Sequence, residues 1–347
     1  MTERYQITQA TLEALFSALA AQETRILAPR QLAERIELAP VATPAEIAPS
    51  YVQTVASAKG VVFPKVEQIL GYRTNGKDVV LEEPEPISQE TVVFGIRPCE
   101  ARAFAALDAL FNWDYRDQLF NARLAKTTVV AITCTTADEA CFCTSLGSGP
   151  EDPRGSDLLL HPLAQGGYAA DVLTEKGEKL VALVKDRLSA VPEDAVFAKP
   201  ASLEKAFDGI ALGVALAKSF DAPIWEEQSL RCLGCGACAF VCPTCACFDI
   251  QDERAAPSDT EGQAPGDGGR RLRCWDSCGL RLFTLHASGH NPRERQSQRW
   301  RQRVYHKFAY YPERLGMLGC VGCGKCSRAC PVDMNLREHL AEVVRIS

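Results

Sequence analysis

Eight of the sixteen cysteines in this 347-residue chain fall into two runs with the same spacing, and a proline follows each run. Each run reads C-x2-C-x2-C-x3-C-P, in which three thiolates bind one 4Fe-4S cluster and the fourth binds a second cluster. The spacing therefore predicts a pair of 4Fe-4S clusters. The first would be held by Cys232, Cys235, Cys238 and Cys330, and the second by Cys320, Cys323, Cys326 and Cys242.

Glycines separate the cysteines in both runs, at Gly234 and Gly236 in the first and at Gly322 and Gly324 in the second. They let a tight loop turn its thiolates inward while backbone N–H groups point at the sulfides of a cluster. Zinc is the alternative that two C-x2-C pairs would also suit. Zinc sites need neither the third cysteine nor the C-x3-C-P ending, so the spacing favours iron-sulfur clusters.

The other eight cysteines form two groups of four. The N-terminal group combines two cysteines at predicted strand ends with a C-x-C step in a glycine-rich loop, and consists of Cys99, Cys134, Cys141 and Cys143. These residues are predicted to meet on one side of a sheet and to bind a further cluster. The alternative is four buried thiols that only fill the core, as free cysteines often do.

The C-terminal group of four follows the first run almost directly. It consists of Cys245, Cys247, Cys274 and Cys278. Cys245 lies three residues after Cys242, so anything bound by this group sits beside the predicted cluster pair. A helical turn from Cys274 to Cys278 would place both side chains on one face. A third cluster is the predicted ligand, and zinc held by the same thiolates is the alternative.

Composition describes an ordinary globular protein, with 46% hydrophobic and 24% charged residues and enough length for two or three domains. No long apolar run and no signal-peptide pattern occur, so we expect a cytoplasmic protein without a membrane span. In a reducing compartment, cysteines in C-x2-C and C-x-C steps favour metal ligation over disulfides. Because oxygen destroys such clusters, an anaerobic setting is expected.

The net charge of −6 argues against general nucleic-acid binding. A basic stretch at 293–307 is the exception to this acidic balance. We interpret its cations as compensating the negative charge of thiolate-bound clusters or as contacting an acidic partner.

Alternating strands and helices predict an α/β domain in residues 1–225. Cys99 and Cys134 follow two predicted strands, at the edge where open α/β sheets bind their ligands. The predicted elements are a helix at 11–21, strands at 91–96 and 127–133, two short strands within 157–173, and helices at 175–190 and 203–219.

Residues 226–347 are predicted to form a mainly α-helical, ferredoxin-like dicluster domain, which makes the fold α+β and multi-domain. A brief strand is expected at 248–250. The stretch 251–271 is rich in Asp, Glu, Gly, Pro and Ser and predicts a mobile acidic loop within this domain. Apolar helical spacing resumes at Cys274 and ends near Ser288.

Six segments carry a resemblance to a known family: FGIRPCEARAF (94–104), CFCTSLGSGP (141–150), CPTCACFDI (242–250), WDSCGLRLFTLHASGHNPR (275–293), HKFAYY (306–311) and CVGCGKC (320–326). Through them the chain resembles the iron-sulfur β subunit of cytoplasmic sulfhydrogenases and the similar A subunit of anaerobic sulfite reductases. The segments span most of the chain from residue 94 onward.

The resemblance implies a subunit of a hetero-oligomer that passes electrons between a flavin subunit, which binds NAD(P)H, and a partner that handles hydrogen or reduces sulfite or sulfur. The predicted function is thus single-electron relay through two to four 4Fe-4S clusters, without catalysis in this chain. Two alternatives stay open. In one, the N-terminal group of four cysteines, with Arg97, itself reduces a sulfur or thiol compound; in the other, the spare cysteines hold structural zinc.

Overall fold

The computed structural model describes residues 4–75, 77–254 and 268–346. An eight-stranded sheet and a small four-stranded sheet organise the first half of the chain. The elements up to residue 190 are, in chain order, β1 (Arg4–Ile7), α1 (Gln9–Ala21), β2 (Arg25–Leu32), β3 (Arg35–Pro40), β4 (Val66–Asn75), β5 (Asp78–Glu82), β6 (Thr91–Ile96), α2 (Pro98–Phe111), α3 (Gln118–Ala125), β7 (Thr127–Ile132), β8 (Leu158–Pro162), β9 (Tyr168–Val172), α4 (Glu175–Ala182) and β10 (Ser189–Ala190).

The large sheet has the strand order β10-β1-β9-β8-β7-β6-β2-β3. Its central strands β2, β6, β7 and β8 are parallel, and the outer pairings are antiparallel. All residues of β6 are buried because both faces of the sheet are covered, which is why the sequence there is continuously apolar. One face packs against α1 through Phe16 and Phe94, and the other against α2 through Val93 and Phe104.

The elements after residue 190 are mostly short helices around the cysteine runs, with one hairpin. They are α5 (Gly209–Lys218), α6 (Ile224–Ser229), α7 (Ala237–Phe240), β11 (Phe248–Arg254), β12 (Gly268–Trp275), α8 (Gln296–Tyr305), a π-helical turn (His306–Tyr310), α9 (Tyr311–Leu315), α10 (Lys325–Arg328) and α11 (Leu336–Arg345). Trp225, Trp300 and Leu340 hold α6, α8 and α11 together in one core. No helix in the described part of the chain is long and apolar enough to cross a membrane.

The small sheet joins distant parts of the sequence in the antiparallel order β11-β12-β4-β5. Buried Arg273 of β12 fixes it by donating to Glu67 of β4, with 2.5 Å between Nη2 and Oε2, and to Asp117 before α3. This sheet takes strands from both sides of residue 225, and the division into domains at that residue stays a prediction. The description of residues 226–347 as mainly helical is not confirmed, because β11 and β12 lie there.

Most elements predicted for the first half are confirmed: the helix at 11–21, the strands at 91–96 and 127–133, and the pair within 157–173. Two predicted helices are shorter than expected. The helix expected over 175–190 ends at Ala182, after which the chain turns into β10, and the helix expected over 203–219 begins at Gly209, where Asp208 caps it.

The predicted helix beginning at Cys274 is wrong, because Cys274 and Trp275 end β12 and only a short turn, Arg281–Thr284, follows. The strand expected at 248–250 is longer, and residues up to 254 and from 268 belong to β11 and β12 rather than to a loop. Cross-strand ion pairs such as Arg271–Asp252 stabilise this polar hairpin. The remainder of the predicted acidic loop, 255–267, lies outside the described residues.

Candidate metal centres

The two cysteine runs fold into the same local structure. In each, two glycines adopt left-handed backbone conformations, with φ between +67° and +76°, and the second glycine caps a one-turn helix that carries the third cysteine. These helices, α7 and α10, pack against each other. A side chain at the second glycine would collide with its surroundings, since a Cβ at Gly236 would lie 2.8 Å from Ser277 and one at Gly324 2.5 Å from the carbonyl oxygen of Ala140.

The first cavity is lined by all four cysteines predicted for the first cluster, Cys232, Cys235, Cys238 and Cys330. Trp300, Val332 and Leu336 supply apolar walls. The side-chain amide of Gln296 donates to the Cys232 sulfur at 3.0 Å. Donors of this kind stabilise the negative charge that a thiolate-bound cluster carries.

The second cavity is lined by the four cysteines predicted for the second cluster, Cys242, Cys320, Cys323 and Cys326. Burial raises the pKa of Cys320 to about 12. The buried Cys320 thiol is therefore neutral near pH 7 until a metal displaces its proton. The four cysteines surround a cavity, as the ligands of a multi-iron cluster do.

Buried cations compensate the thiolates around this second cavity. Lys307 is 3% exposed, and its Nζ lies 3.3 Å from the Cys242 sulfur and 2.7 Å from the carbonyl oxygen of Gly319. Burial alone would lower the pKa of Lys307, yet the thiolates of Cys242 and Cys245 raise it well above its ordinary value. Lys307 is thus a fixed positive charge beside the site.

A third, open cleft of about 580 Å³ lies beside the first two cavities. Cys245, Cys247 and Cys278 line it, and Arg293 and Lys307 contribute cationic walls. Three of the four cysteines of the C-terminal group therefore come together. Cys274 does not line the cleft, since it lies within β12.

The N-terminal group of four lies where the central strands end. Cys99 begins α2, Cys134 follows β7, and Cys141 and Cys143 come from the next loop. Burial, followed by the charges of Cys134 and Cys141, raises the pKa of Cys143 to about 12, which indicates that the thiols are neighbours. Gln53 donates to the Cys99 sulfur and Arg328 to the Cys141 sulfur, both at 3.1 Å.

This N-terminal group packs directly against the second cysteine run. Cys99 and Cys143 share a buried cluster with Val321 and Cys323. The backbone N–H of Phe142 donates to the carbonyl oxygen of Gly322 at 2.9 Å. The C-x-C loop and the second ferredoxin-like loop therefore form one continuous structure.

Comparisons with known proteins agree with this arrangement. A family model described as a 4Fe-4S dicluster domain matches residues 231–334. The sulfhydrogenase 2 subunit beta of Pyrococcus furiosus is 30% identical over 259 residues, which cover 73% of this chain and 73% of that protein. The chain belongs to the sulfhydrogenase β-subunit family. No solved structure matches significantly.

Membership of the sulfhydrogenase β-subunit family confirms the resemblance predicted from the sequence, and the dicluster match confirms 4Fe-4S clusters as the cofactors. Together they support an iron-sulfur electron-transfer role for the chain. The matched stretch contains both cysteine runs and ends just after Cys330, and which cysteines bind each cluster stays a prediction.

In this sulfhydrogenase β-subunit homologue, sequence reasoning missed most of the side chains that contact the cysteines. Arg299, Arg303 and Lys307 recur every four residues and therefore share one helical face, a signal that could have singled them out within the basic stretch. Lys59 gives no such signal. Its Nζ donates to the carbonyl oxygens of Ala239 and Cys245 at 3.1 and 2.8 Å, across most of the chain.

Proposed function

We propose that this protein is the electron-transfer subunit of a cytoplasmic oxidoreductase complex. It relays single electrons through 4Fe-4S clusters between a flavin-containing, NAD(P)H-binding subunit and a catalytic partner of the hydrogenase or sulfite/sulfur reductase type. The first two clusters use the ligand sets predicted from the two cysteine runs. The N-terminal group, Cys99, Cys134, Cys141 and Cys143, holds a further cluster, and the C-terminal group contributes another.

The observation that carries the proposal is the continuity of the four cysteine sites. Cys326 lines both the first and the second cavity, and Cys278 lines both the first cavity and the open cleft. Cys323 of the second site packs with Cys99 and Cys143 of the N-terminal group. An unbroken series of neighbouring sites suits electron relay, whereas zinc in the spare cysteines would interrupt it.

The alternative of catalysis at the N-terminal group needs Arg97 free to hold a substrate. Arg97 is buried, stacks 4.0 Å from the ring centre of Tyr51, and donates to the backbone carbonyl oxygens of Tyr51 and Thr133. These contacts bind the Arg97 side chain to the loop at 51–54, so it is not free to hold a substrate. They favour relay over catalysis at this position.

Anaerobically purified protein tests the proposal through its metal content and its redox behaviour. Four clusters require about 16 iron and 16 sulfide per chain, with negligible zinc. We expect dithionite to reduce all clusters, and the isolated subunit to show no turnover of sulfite, polysulfide or hydrogen. Reduction of any of these substrates by the purified subunit alone would refute a pure relay.

Replacement of Cys323 tests whether electrons pass through the second cluster on their way between the N-terminal site and the first site. Replacing Cys323 by serine is expected to remove the signal of the second cluster and to slow electron passage between the N-terminal and first sites. Replacing Cys134 is the matched control for the cluster signal, since it should leave the signal of the second cluster intact. Equal passage rates in the wild type and in Cys323→Ser would contradict the proposed route.

A further inference from the structure

We propose that the open cleft holds a 4Fe-4S cluster on only three cysteines, Cys245, Cys247 and Cys278, and that its fourth iron faces the cleft and accepts a small anionic ligand. The inference rests on the proposed function in taking the cluster to be of the 4Fe-4S type. It differs from the sequence prediction in leaving Cys274 out and in assigning a ligand site to the protein.

The three cysteines are brought together by backbone contacts as well as by the cleft they share. The Cys247 and Cys278 side chains line the same cleft and are neighbours. The N–H of Asp276 donates to the carbonyl oxygen of Cys247 at 2.9 Å, which ties the segment before Cys278 to the end of the first run. Cys245 precedes Cys247 by two residues and lines the same wall.

Cys274 is held away from this wall by the register of the hairpin. Trp275 stands opposite Phe248, which lines the cleft, whereas Cys274 stands opposite Asp249 on one side and Val66 on the other. Neighbouring residues in a strand point to opposite faces. Cys274 therefore faces the side of the sheet on which Val66 is exposed, and it is not available as the fourth ligand.

The size of the cleft leaves room for a ligand beyond a cluster. Its volume of about 580 Å³ exceeds those of the first and second cavities, about 40 and 10 Å³, more than tenfold. The two smaller cavities close around their cysteines. The cleft is open, and Trp113 on its wall is 52% exposed, so an iron at its inner wall is reachable from outside.

The charge of the cleft selects an anion. Arg293, Arg303 and Lys307 line it, and no carboxylate among the described residues does. Arg303 is 4% exposed, donates to the Cys245 sulfur at 3.4 Å, and keeps an Nε–H without an acceptor in the described structure. A buried donor without a partner is costly, so this N–H points to a ligand that completes the site.

The ligand set is tested by cysteine replacement with Cys274→Ser as the matched control. We expect Cys247→Ser and Cys278→Ser to lose about four iron per chain, and Cys274→Ser to lose none. Electron paramagnetic resonance (EPR) of the first two clusters should persist in all three variants, which shows that the fold and the relay pair survive. Loss of four iron from Cys274→Ser would overturn the three-cysteine assignment and leave the proposed relay intact.

The open iron is tested by mild oxidation with ferricyanide. An iron without a cysteine ligand is released: one [4Fe-4S]2+ cluster gives one [3Fe-4S]+ cluster and one Fe2+, and the electron reduces one ferricyanide. We expect one three-iron EPR signal per chain in the wild type and in Cys274→Ser. No signal in Cys278→Ser is the control, and no signal in the wild type would overturn the proposal.

The anion site is tested with 13C-labelled cyanide as the probe on the reduced protein. We expect 13C hyperfine coupling on one cluster, and binding at least about tenfold weaker in Arg303→Gln, because a charged hydrogen bond is lost. Arg301 lies on the same helix but donates to the carbonyl oxygen of Phe220, so the Arg301→Gln variant should bind cyanide as the wild type does. A histidine nitrogen coupling that vanishes in His306→Gln would show instead a protein ligand on the fourth iron.

Discussion

Buried cations are the residue-scale feature that distinguishes the surroundings of the cysteines. Lys59, Arg303 and Lys307 are each less than a tenth exposed, and burying a charge without compensation costs several kcal/mol. Each cation is therefore stable only because sulfur or carbonyl oxygens face it. Because cluster oxidation states differ in negative charge, the same cations favour the reduced state.

Replacing Lys307 by methionine is expected to lower the reduction potential of the cluster bound by Cys242, Cys320, Cys323 and Cys326. Removing a unit charge near a buried site, at roughly 2 kcal/mol for an effective dielectric of about 20, corresponds to a fall on the order of 100 mV. Redox titration followed by EPR measures the change.

Arg301→Gln provides the matched control for Lys307, since it removes a charge from the neighbouring helix α8 without touching a cysteine cavity. A shift of the potential by no more than about 20 mV is expected there, because that charge is partly solvated and screened. Equal shifts in the two variants would show that Lys307 acts only through net charge.

At this scale the sequence predicted which cysteines line the first two cavities and missed the side chains that contact them. The spacing of the cysteines is a local property, so the two sets that line the first and second cavities could be predicted from it. Gln53 reaches Cys99, and Lys59 reaches the loop of Cys245, only through tertiary folding. No local pattern encodes such contacts.

At the scale of elements, Gly322 in the second ferredoxin-like loop and Gly316 after α9 require glycine for different reasons. Gly322 has a φ of +67°, and a Cβ there would lie 2.5 Å from the backbone nitrogen of Cys143. Gly316, after α9, has nearly the same φ, +66°, and nothing within 4 Å. Comparing substitutions at Gly322 and Gly316 therefore separates the free-energy cost of a strained backbone from the cost of blocking a packing contact.

Gly322→Ala is expected to abolish docking of the second run on the C-x-C loop and to lower the iron content by about four per chain. Gly316→Ala should cost only about 1–2 kcal/mol of unfolding free energy, the strain of a left-handed residue. Iron analysis and anaerobic thermal unfolding distinguish the two. Full iron content in Gly322→Ala would mean that the loops need not touch.

The small sheet depends on a buried ion network that the sequence did not reveal. Glu67→Gln is expected to destabilise the protein by up to about 3–5 kcal/mol, because Arg273 and Arg123 both lose the charge of Glu67 and Asp117 is left to compensate buried Arg273. Glu253→Gln breaks the exposed pair with Arg270 in the same sheet and should cost about 1 kcal/mol or less. Urea unfolding under anaerobic conditions compares them, and similar costs would refute the role given to burial.

The elements that sequence patterns found are those whose stability comes from apolar burial. Strands β6 and β7 are continuously apolar and were predicted within a residue. Hairpin β11–β12 is polar, with exposed residues along β11, and it is held by ion pairs and by its partner β4. Hydrophobic periodicity cannot predict a strand whose residues are polar and exposed.

For the whole molecule, two buried lysines connect the N-terminal sheet with the cluster loops in opposite directions. Lys59 donates into the first run, at the carbonyl oxygen of Ala239, and to the carbonyl oxygen of Cys245 just after that run. Lys325 of the second run donates to Thr54 at 2.7 Å and pairs with Glu100 at 3.2 Å. The cysteine-bearing loops therefore lie at the junction of the two halves.

Removal of iron is expected to loosen this junction on both sides at once. After anaerobic treatment with ferricyanide and EDTA, hydrogen exchange should accelerate at 141–146 and at 319–330 together, because the two loops share the bond from Phe142 to Gly322. The amides of β6 and β7 serve as the control and should keep their protection. Acceleration at 319–330 alone would contradict a shared unit.

The contact of Gly322 with Cys143 also constrains how the protein is made. The C-x-C loop leaves the ribosome long before the second run is synthesised, so its thiols remain exposed in the nascent chain until then. Once Gly322 docks, its backbone closes against Cys143 without space for a side chain, still less for a scaffold protein. For the clusters proposed at these two neighbouring sites, delivery must precede the final docking of the halves, which would make maturation an ordered process.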